Sequence, residues 1–239
     1  MTILSKTTAL VSSLLAMNST MSTPKEYIKL EIIEEKTVTP DIVIRPGEYP
    51  NKPGKRIYLS ENQIYDFNIS KDIPLHKDKE GYYMHEFDIN LKLSKAIDKE
   101  LKRLGVNTNL QVTKDKSQDL NQAGRIAKAT GAKMYLSVHH DYYENDTEGY
   151  TFITNQGDNT DALIAQELSN SIKGGSVKQR ANRVQDGYIG EMNQTSDMIN
   201  ILGEFGFFSN LEELQKIISD EQVQYIAQQI AKELYLVLK

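Results

Sequence analysis

From residue 54 onward the chain alternates between two hydrophobic rhythms. Short apolar runs bounded by polar or glycine positions predict strands. Longer stretches with apolar residues three and four apart predict helices. Arg56–Ser60 (RIYLS) reads as a short strand, and a long polar excursion to Met84 follows it. His85–Leu104 carries Leu93, Ile97, Leu101 and Leu104 at helical spacing, and Gly105 supplies the residue that ends such a helix. Next come a strand over Val106–Val112, a helix over Asp115–Thr130 stopped by Gly131, and strands over Lys133–Val138 and Gly149–Thr154. A helix over Asp161–Ile172 ends before Gly174 and Gly175, Ile199–Phe205 is a strand, and helices over Asn210–Ile218 and Asp220–Leu238 close the chain.

This alternation predicts an α/β fold with a mostly parallel sheet, in which functional groups gather at the carboxyl ends of the strands. The segment RPGEYPNKPG, residues 45–54, is dense in proline and glycine and reads as a boundary. It divides the chain into a short N-terminal extension, residues 1–53, and a main domain, residues 54–239. The extension holds two strand-like runs, YIKLEII and DIVI, and reads as an arm or a small β attachment segment with a protein partner. Lys6 ahead of the apolar stretch Ala9–Met17 faintly resembles a signal peptide. The stretch is broken by Ser12 and Ser13 and lacks an Ala-x-Ala site.

Composition narrows the chemistry. With 239 residues and 39% hydrophobic content, the chain can bury a full core. It has no cysteine, which excludes thiolate-bound zinc, a thiol nucleophile and a disulfide scaffold together. A net charge of −5, with Lys and Arg spread along the chain, argues against a nucleic-acid groove. No apolar run is long enough to span a membrane.

Among four histidines, His139 and His140 stand together after an apolar strand in SVHHD, which suits a metal or catalytic site as well as a hydrogen-bonded loop. Glu86, opening the amphipathic helix, could simply complement the helix dipole. Glu204 is more informative, because it lies within the apolar run ILGEFGFFSN. A carboxylate there is costly unless it is paired or used, and burial suits a general base acting near neutral pH. Histidine and carboxylate ligands beside a free carboxylate form the kit of a metal hydrolase. HExxH, GxSxG, Walker A and GxGxxG patterns are all absent.

These residues resemble, in order and spacing, the zinc-dependent N-acetylmuramoyl-L-alanine amidases of the amidase-3 type, found among autolysins, sporulation proteins and phage lysins. The resemblance covers about residues 55–239. It rests on Glu86 at a helix start, Gly124-Arg125-Ile126-Ala127 in the next helix, Ser137-Val138-His139-His140-Asp141 at a strand end, and Glu204-Phe205-Gly206-Phe207-Phe208-Ser209-Asn210. It implies a twisted, mostly parallel sheet of about six strands flanked by helices. It also implies Zn²⁺ held by Glu86 and His139, with Glu204 as general base. The implied reaction is hydrolysis of the amide between N-acetylmuramic acid and L-alanine in peptidoglycan, outside the cytoplasm, at the cell wall or from a phage particle.

One departure stands out. The family ends its first strand on a G-H-G motif whose histidine is the first zinc ligand, whereas the strand RIYLS runs into Glu61-Asn62-Gln63. Three outcomes stay open: Gln63 completes the metal site, His76 does, or the site is degenerate and the chain is a metal-free binding or structural module. A substrate-facing loop in the family corresponds to the region of Arg183, to which no role is assigned.

Overall fold

The computed structural model describes residues 38–49, 54–67, 69, 71–112, 119–143, 147–155, 157–172, 175–179 and 190–239. In chain order the first elements are β1 (Ile42–Pro46), β2 (Arg56–Leu59), α1 (Glu61–Asp66), β3 (His76–Lys77), β4 (Tyr82–His85), α2 (Glu86–Arg103), β5 (Thr108–Leu110) and α3 (Leu120–Ala129). They are followed by β6 (Met134–Asp141), β7 (Tyr150–Thr154), α4 (Asn159–Ser171), β8 (Gly175–Gln179), α5 (Gly190–Gln194), β9 (Ile199–Phe207), α6 (Leu211–Ile217) and α7 (Asp220–Leu238). The leader-like stretch near Ala9, the run YIKLEII and Arg183 lie outside the described residues.

Six strands form one sheet in the order β5–β1–β6–β9–β7–β8. β1 runs parallel to both β5 and β6, β6 parallel to β9, and β7 parallel to β8, while β7 meets β9 antiparallel. The α/β class and mostly parallel sheet expected from the strand–helix alternation are therefore present.

Two strand placements differ from expectation. Ile42–Pro46, expected in the N-terminal arm, is an interior strand of the main sheet with all five residues buried. The boundary expected over residues 45–54 therefore begins inside the main sheet and does not stand in front of it. Arg56–Leu59, expected to open the parallel sheet, instead pairs antiparallel with β4 in a separate three-stranded sheet, β2–β4–β3. The physical reason is visible in the side chains. A strand buried on both faces is apolar throughout, as IVI is, whereas RIYL alternates: Arg56 and Tyr58 are exposed and Leu59 is buried.

Alternation also assigns the faces of the main sheet. Ile42, Ile44, Leu136 and Val138 pack with Leu93, Ile97 and Leu101 of α2, Leu168 of α4 and Ile226, Ile230 and Leu234 of α7. Val43 and Tyr135 point the other way, onto Ala127 of α3 and Met198. On that second face Ile153 and Leu202 meet Met192 of the short helix α5. Helix ends are satisfied locally: Asp119, Asp158, Asn210 and Ser219 each accept a backbone N–H in the first turn of the helix they precede.

Asp161 ties α4 to the sheet. Its carboxylate is 1% exposed and accepts the backbone N–H of Asn200 at 3.1 Å. Burial, reinforced by Asp158, pushes its pKa up to about 6. The folded-state value thus lies above the unfolded one, so the folded state binds the extra proton between about pH 4 and pH 6 and loses stability as the pH rises through that window. Asp161→Asn keeps the acceptor without the charge. Chemical denaturation at pH 7 should show it more stable than the parent by about 1–3 kcal/mol, with the difference vanishing near pH 4.

Candidate metal centre

Three chain segments converge at the carboxyl end of the sheet. The first follows β1. Gly47 continues the strand by donating its N–H to Val138 O at 2.6 Å, and Glu48 turns sharply with φ +62°. A left-handed conformation is uncommon for a non-glycine residue and tends to occur where function requires it. The second segment is the start of α2, where Glu86 is buried in the first helical turn. The third is the end of β6, where His139 sits next to Glu204 of β9 in the parallel register.

Ligand atoms of Glu48, Glu86 and His139 all lie within 4.8 Å of one another. His139 Nδ1 stands 3.4 Å from Glu86 Oε1. The glycines around them leave no slack. A Cβ on Gly47 would come within 2.3 Å of the His139 ring, and one on Gly54 within 2.5 Å of Glu86 Oε2. Behind Glu86, His140 and Asn90 form a short relay. His140 Nδ1–H donates to Asn90 Oδ1 at 2.7 Å, and Asn90 Nδ2–H donates to Glu86 Oε1 at 3.2 Å. His140 is therefore a hydrogen-bonded support, and burial beside His139 pushes its pKa down to about 3, keeping it neutral.

The electrostatics reflect carboxylates packed closely around one imidazole. Burial and the neighbouring Glu86 raise the pKa of Glu48. Burial alone would lower that of His139, but the carboxylates of Glu191, Glu86 and Glu204 outweigh it and raise it well above the ordinary value. Carboxylates packed this closely repel one another unless positive charge sits between them. Two carboxylates and an imidazole form a donor set suited to Zn²⁺, and acceptable to harder divalent ions such as Mn²⁺.

The structure thus brings together Glu86, His139 and Glu204, and adds Glu48, which sequence reasoning missed. The signal for Glu48 was present. Gly47-Glu48-Tyr49 directly follows the buried strand Ile42–Pro46, at its carboxyl end. It was hidden by taking RIYLS as the first strand. Gln63 belongs elsewhere: its side-chain oxygen accepts the Ser60 N–H at 2.8 Å and its own N–H donates to Ser60 Oγ, closing a capping box on α1. His76 also has other work. Its Nε2 lies 2.8 Å from Asp88 Oδ2, and its ring stacks on Tyr83.

A further residue not anticipated from sequence is Glu191 of α5, 1% exposed. It forms an ion pair with the equally buried Arg45 and accepts the hydroxyls of Tyr135 at 3.0 Å and Ser137 at 2.6 Å. Although burial works against its charge, Arg45 and His139 draw its pKa down to about 2. Lone glutamates in surface-like segments such as GEMNQ give no sequence hint of this.

Known proteins share a sequence profile and a fold with this chain. Residues 42–235 match the profile of the amidase-3 family, described as N-acetylmuramoyl-L-alanine amidase. The fold is similar to the crystal structure of an N-acetylmuramoyl-L-alanine amidase from Clostridium difficile 630, with TM-score 0.64, 18% identity, and coverage of 82% of this chain and 95% of that one. It is also similar to the catalytic domain of CwlV, an N-acetylmuramoyl-L-alanine amidase from Bacillus (Paenibacillus) polymyxa var. colistinus, with TM-score 0.61, 18% identity, and coverage of 83% and 98%. In sequence the chain is 27% identical over 153 residues to the uncharacterised protein YqiI of Bacillus subtilis strain 168, covering 63% of this chain and 73% of that protein.

Gly47→Ala tests how tightly the centre is built. The added methyl cannot coexist with the His139 ring where it stands, so either the ring or β1 must move. Thermal and chemical denaturation should show a loss of about 1–3 kcal/mol. Titration with Zn²⁺ should show affinity reduced by at least tenfold, whereas Gly157→Ala, at a glycine with open space around it, should leave affinity unchanged.

Proposed function

Because the chain belongs to the N-acetylmuramoyl-L-alanine amidase family, we propose that it hydrolyses the amide bond between N-acetylmuramic acid and L-alanine in peptidoglycan, using Zn²⁺ held by Glu48, Glu86 and His139 and Glu204 as general base. The observation that carries this reading is the convergence of those three donors beside Glu204 at the carboxyl ends of β1, β6 and β9. The substrate places the reaction at the cell wall, reached by export or from a phage particle. Among the described residues no helix is long and apolar enough to cross a membrane.

Bound at this cluster, Zn²⁺ supplies Lewis acidity, polarising the scissile carbonyl and acidifying a water molecule. The chain's own groups do the rest. Glu48 and Glu86 provide negative charge, and the His140–Asn90 relay keeps Glu86 turned toward the centre. Glu204 stands beside His139 in the parallel register of β6 and β9, which puts both side chains on the same face of the sheet. From there it takes a proton from the attacking water and returns it to the alanine nitrogen as the C–N bond breaks. The products are the lactyl carboxylate of muramic acid and the free α-amino group of L-alanine.

Glu48 makes the donor set harder and more negative, and this has a measurable consequence. Purified protein should bind about one Zn²⁺ per chain, a stoichiometry given by the one such cluster among the described residues and checked by metal analysis. Glu48→Ala and His139→Ala should each weaken binding by on the order of 100-fold, and Glu48→His should retain the metal. Glu204→Gln should keep the metal while release of L-alanine amino termini from purified wall falls by roughly 10²–10⁴-fold. Protein that binds no divalent ion and releases no amino termini would instead be a metal-free binding module on the same fold.

A further inference from the structure

His139 is held between two carboxylates with different surroundings. Its Nδ1 faces the cluster, 3.4 Å from Glu86 Oε1. Its Nε2 faces away, 3.5 Å from Glu191 Oε1, and this buried nitrogen makes no closer polar contact. A neutral imidazole that ligates through Nδ1 must carry its proton on Nε2. That proton is buried, and leaving it without an acceptor would cost about 1–3 kcal/mol. Among the described residues Glu191 is the acceptor in reach.

Glu191 is itself fixed from several sides. Strand alternation puts Arg45, Tyr135, Ser137 and His139 on the same face of the sheet, with Arg45 beside Ser137 in the register. The short helix α5 lowers Glu191 onto that row. One carboxylate oxygen meets Arg45 and the Tyr135 hydroxyl, and the other meets the Ser137 hydroxyl and faces His139. The arrangement leaves the carboxylate no freedom to turn away from the ring. A separation of 3.5 Å is that of an ion pair, and a shift of a few tenths of an ångström converts it into a hydrogen bond.

We propose that Glu191 is a positioning residue of the metal centre: it takes the Nε2–H of His139 and so fixes the ring in the tautomer and orientation that present Nδ1 to the metal, while Arg45 anchors Glu191. This rests on the reading of Glu48, Glu86 and His139 as metal ligands. Partners of this kind behind a ligating histidine typically contribute about 10–100-fold to metal affinity. The competing role is purely structural, with Glu191 present to neutralise buried Arg45.

Removing the ion pair as a unit separates the two roles. Arg45→Met combined with Glu191→Leu leaves no buried unpaired charge. Arg45→Met combined with Glu191→Gln also keeps an acceptor for the Tyr135 and Ser137 hydroxyls, and it serves if the first pair fails to fold. For each protein, Zn²⁺ affinity is measured by competition with a chromophoric chelator. The protonated nitrogen of His139 is read from ¹⁵N–¹H correlation spectra of the metal-loaded protein, and thermal stability is recorded alongside. Zn²⁺ affinity should fall about 10–100-fold in the double variant carrying Glu191→Leu, and less in the one carrying Glu191→Gln, which retains a neutral acceptor. The Nε2–H signal of the parent should shift or broaden in both. A parent that binds Zn²⁺ while either folded double variant binds it within about threefold, with an unchanged Nε2–H signal, would overturn the positioning role and leave the metal reading intact. A parent that binds no Zn²⁺ would overturn both.

Discussion

His139 is set among carboxylates: Glu48 and Glu86 in front of it, Glu191 behind it and Glu204 beside it on the next strand. Such a concentration of negative charge in a low-dielectric setting is unstable without compensation, and the surrounding architecture can be understood as the means of providing it. Behind the ring the compensation is permanent, through Arg45 and the hydroxyls of Tyr135 and Ser137. In front of the ring the proposed divalent ion would supply it. This asymmetry distinguishes the structural carboxylate from those available for chemistry.

The sheet makes the arrangement precise. Parallel pairing of β1, β6 and β9 brings three carboxyl ends to one edge, and the register sets His139 directly beside Glu204. Period-two alternation sends Ile42, Ile44, Leu136 and Val138 into one core while Arg45, Tyr135, Ser137 and His139 line the opposite face. The apolar layer against α2 and α7 therefore supports the polar row from beneath. Because α2 packs on that layer through Leu93, Ile97 and Leu101, its first residue, Glu86, is delivered to the sheet edge with little freedom. Gly47 and Gly54 permit the close approach of backbone to ligand side chains that any larger residue would block.

With Glu48 in the donor set, the proposed centre would combine two carboxylates with one imidazole. A second carboxylate lowers the net charge of a Zn²⁺-occupied site and hardens its donor set. It also strengthens the demand for a cation, since Glu48 and Glu86 repel when it is absent. The left-handed backbone at Glu48 is consistent with a residue placed for its carboxylate and not for the ease of the turn.

Much of this was determined by the sequence alone. The alternating hydrophobic rhythms carry the α/β class, and the long helices ending near Leu104 and Leu238 follow from apolar spacing. His139 was legible as a polar residue ending an apolar strand and Glu204 as a carboxylate within an apolar run, whereas Glu86, an ordinary acid in a first helical turn, was carried only by the family resemblance. Glu48 was obscured because proline and glycine around it suggest a linker as readily as a turn inside a domain. The distinction depends on where Ile42–Pro46 pairs, and a strand that short cannot state its partners. Gln63 looked available as a donor, but its amide closes a cap on α1, a choice made by local backbone geometry. Glu191 and Arg45 are far apart in sequence, and neither breaks a pattern in its own segment. Their pairing exists because strand alternation and the placement of α5 bring opposite charges together in the interior, where neither could remain without the other.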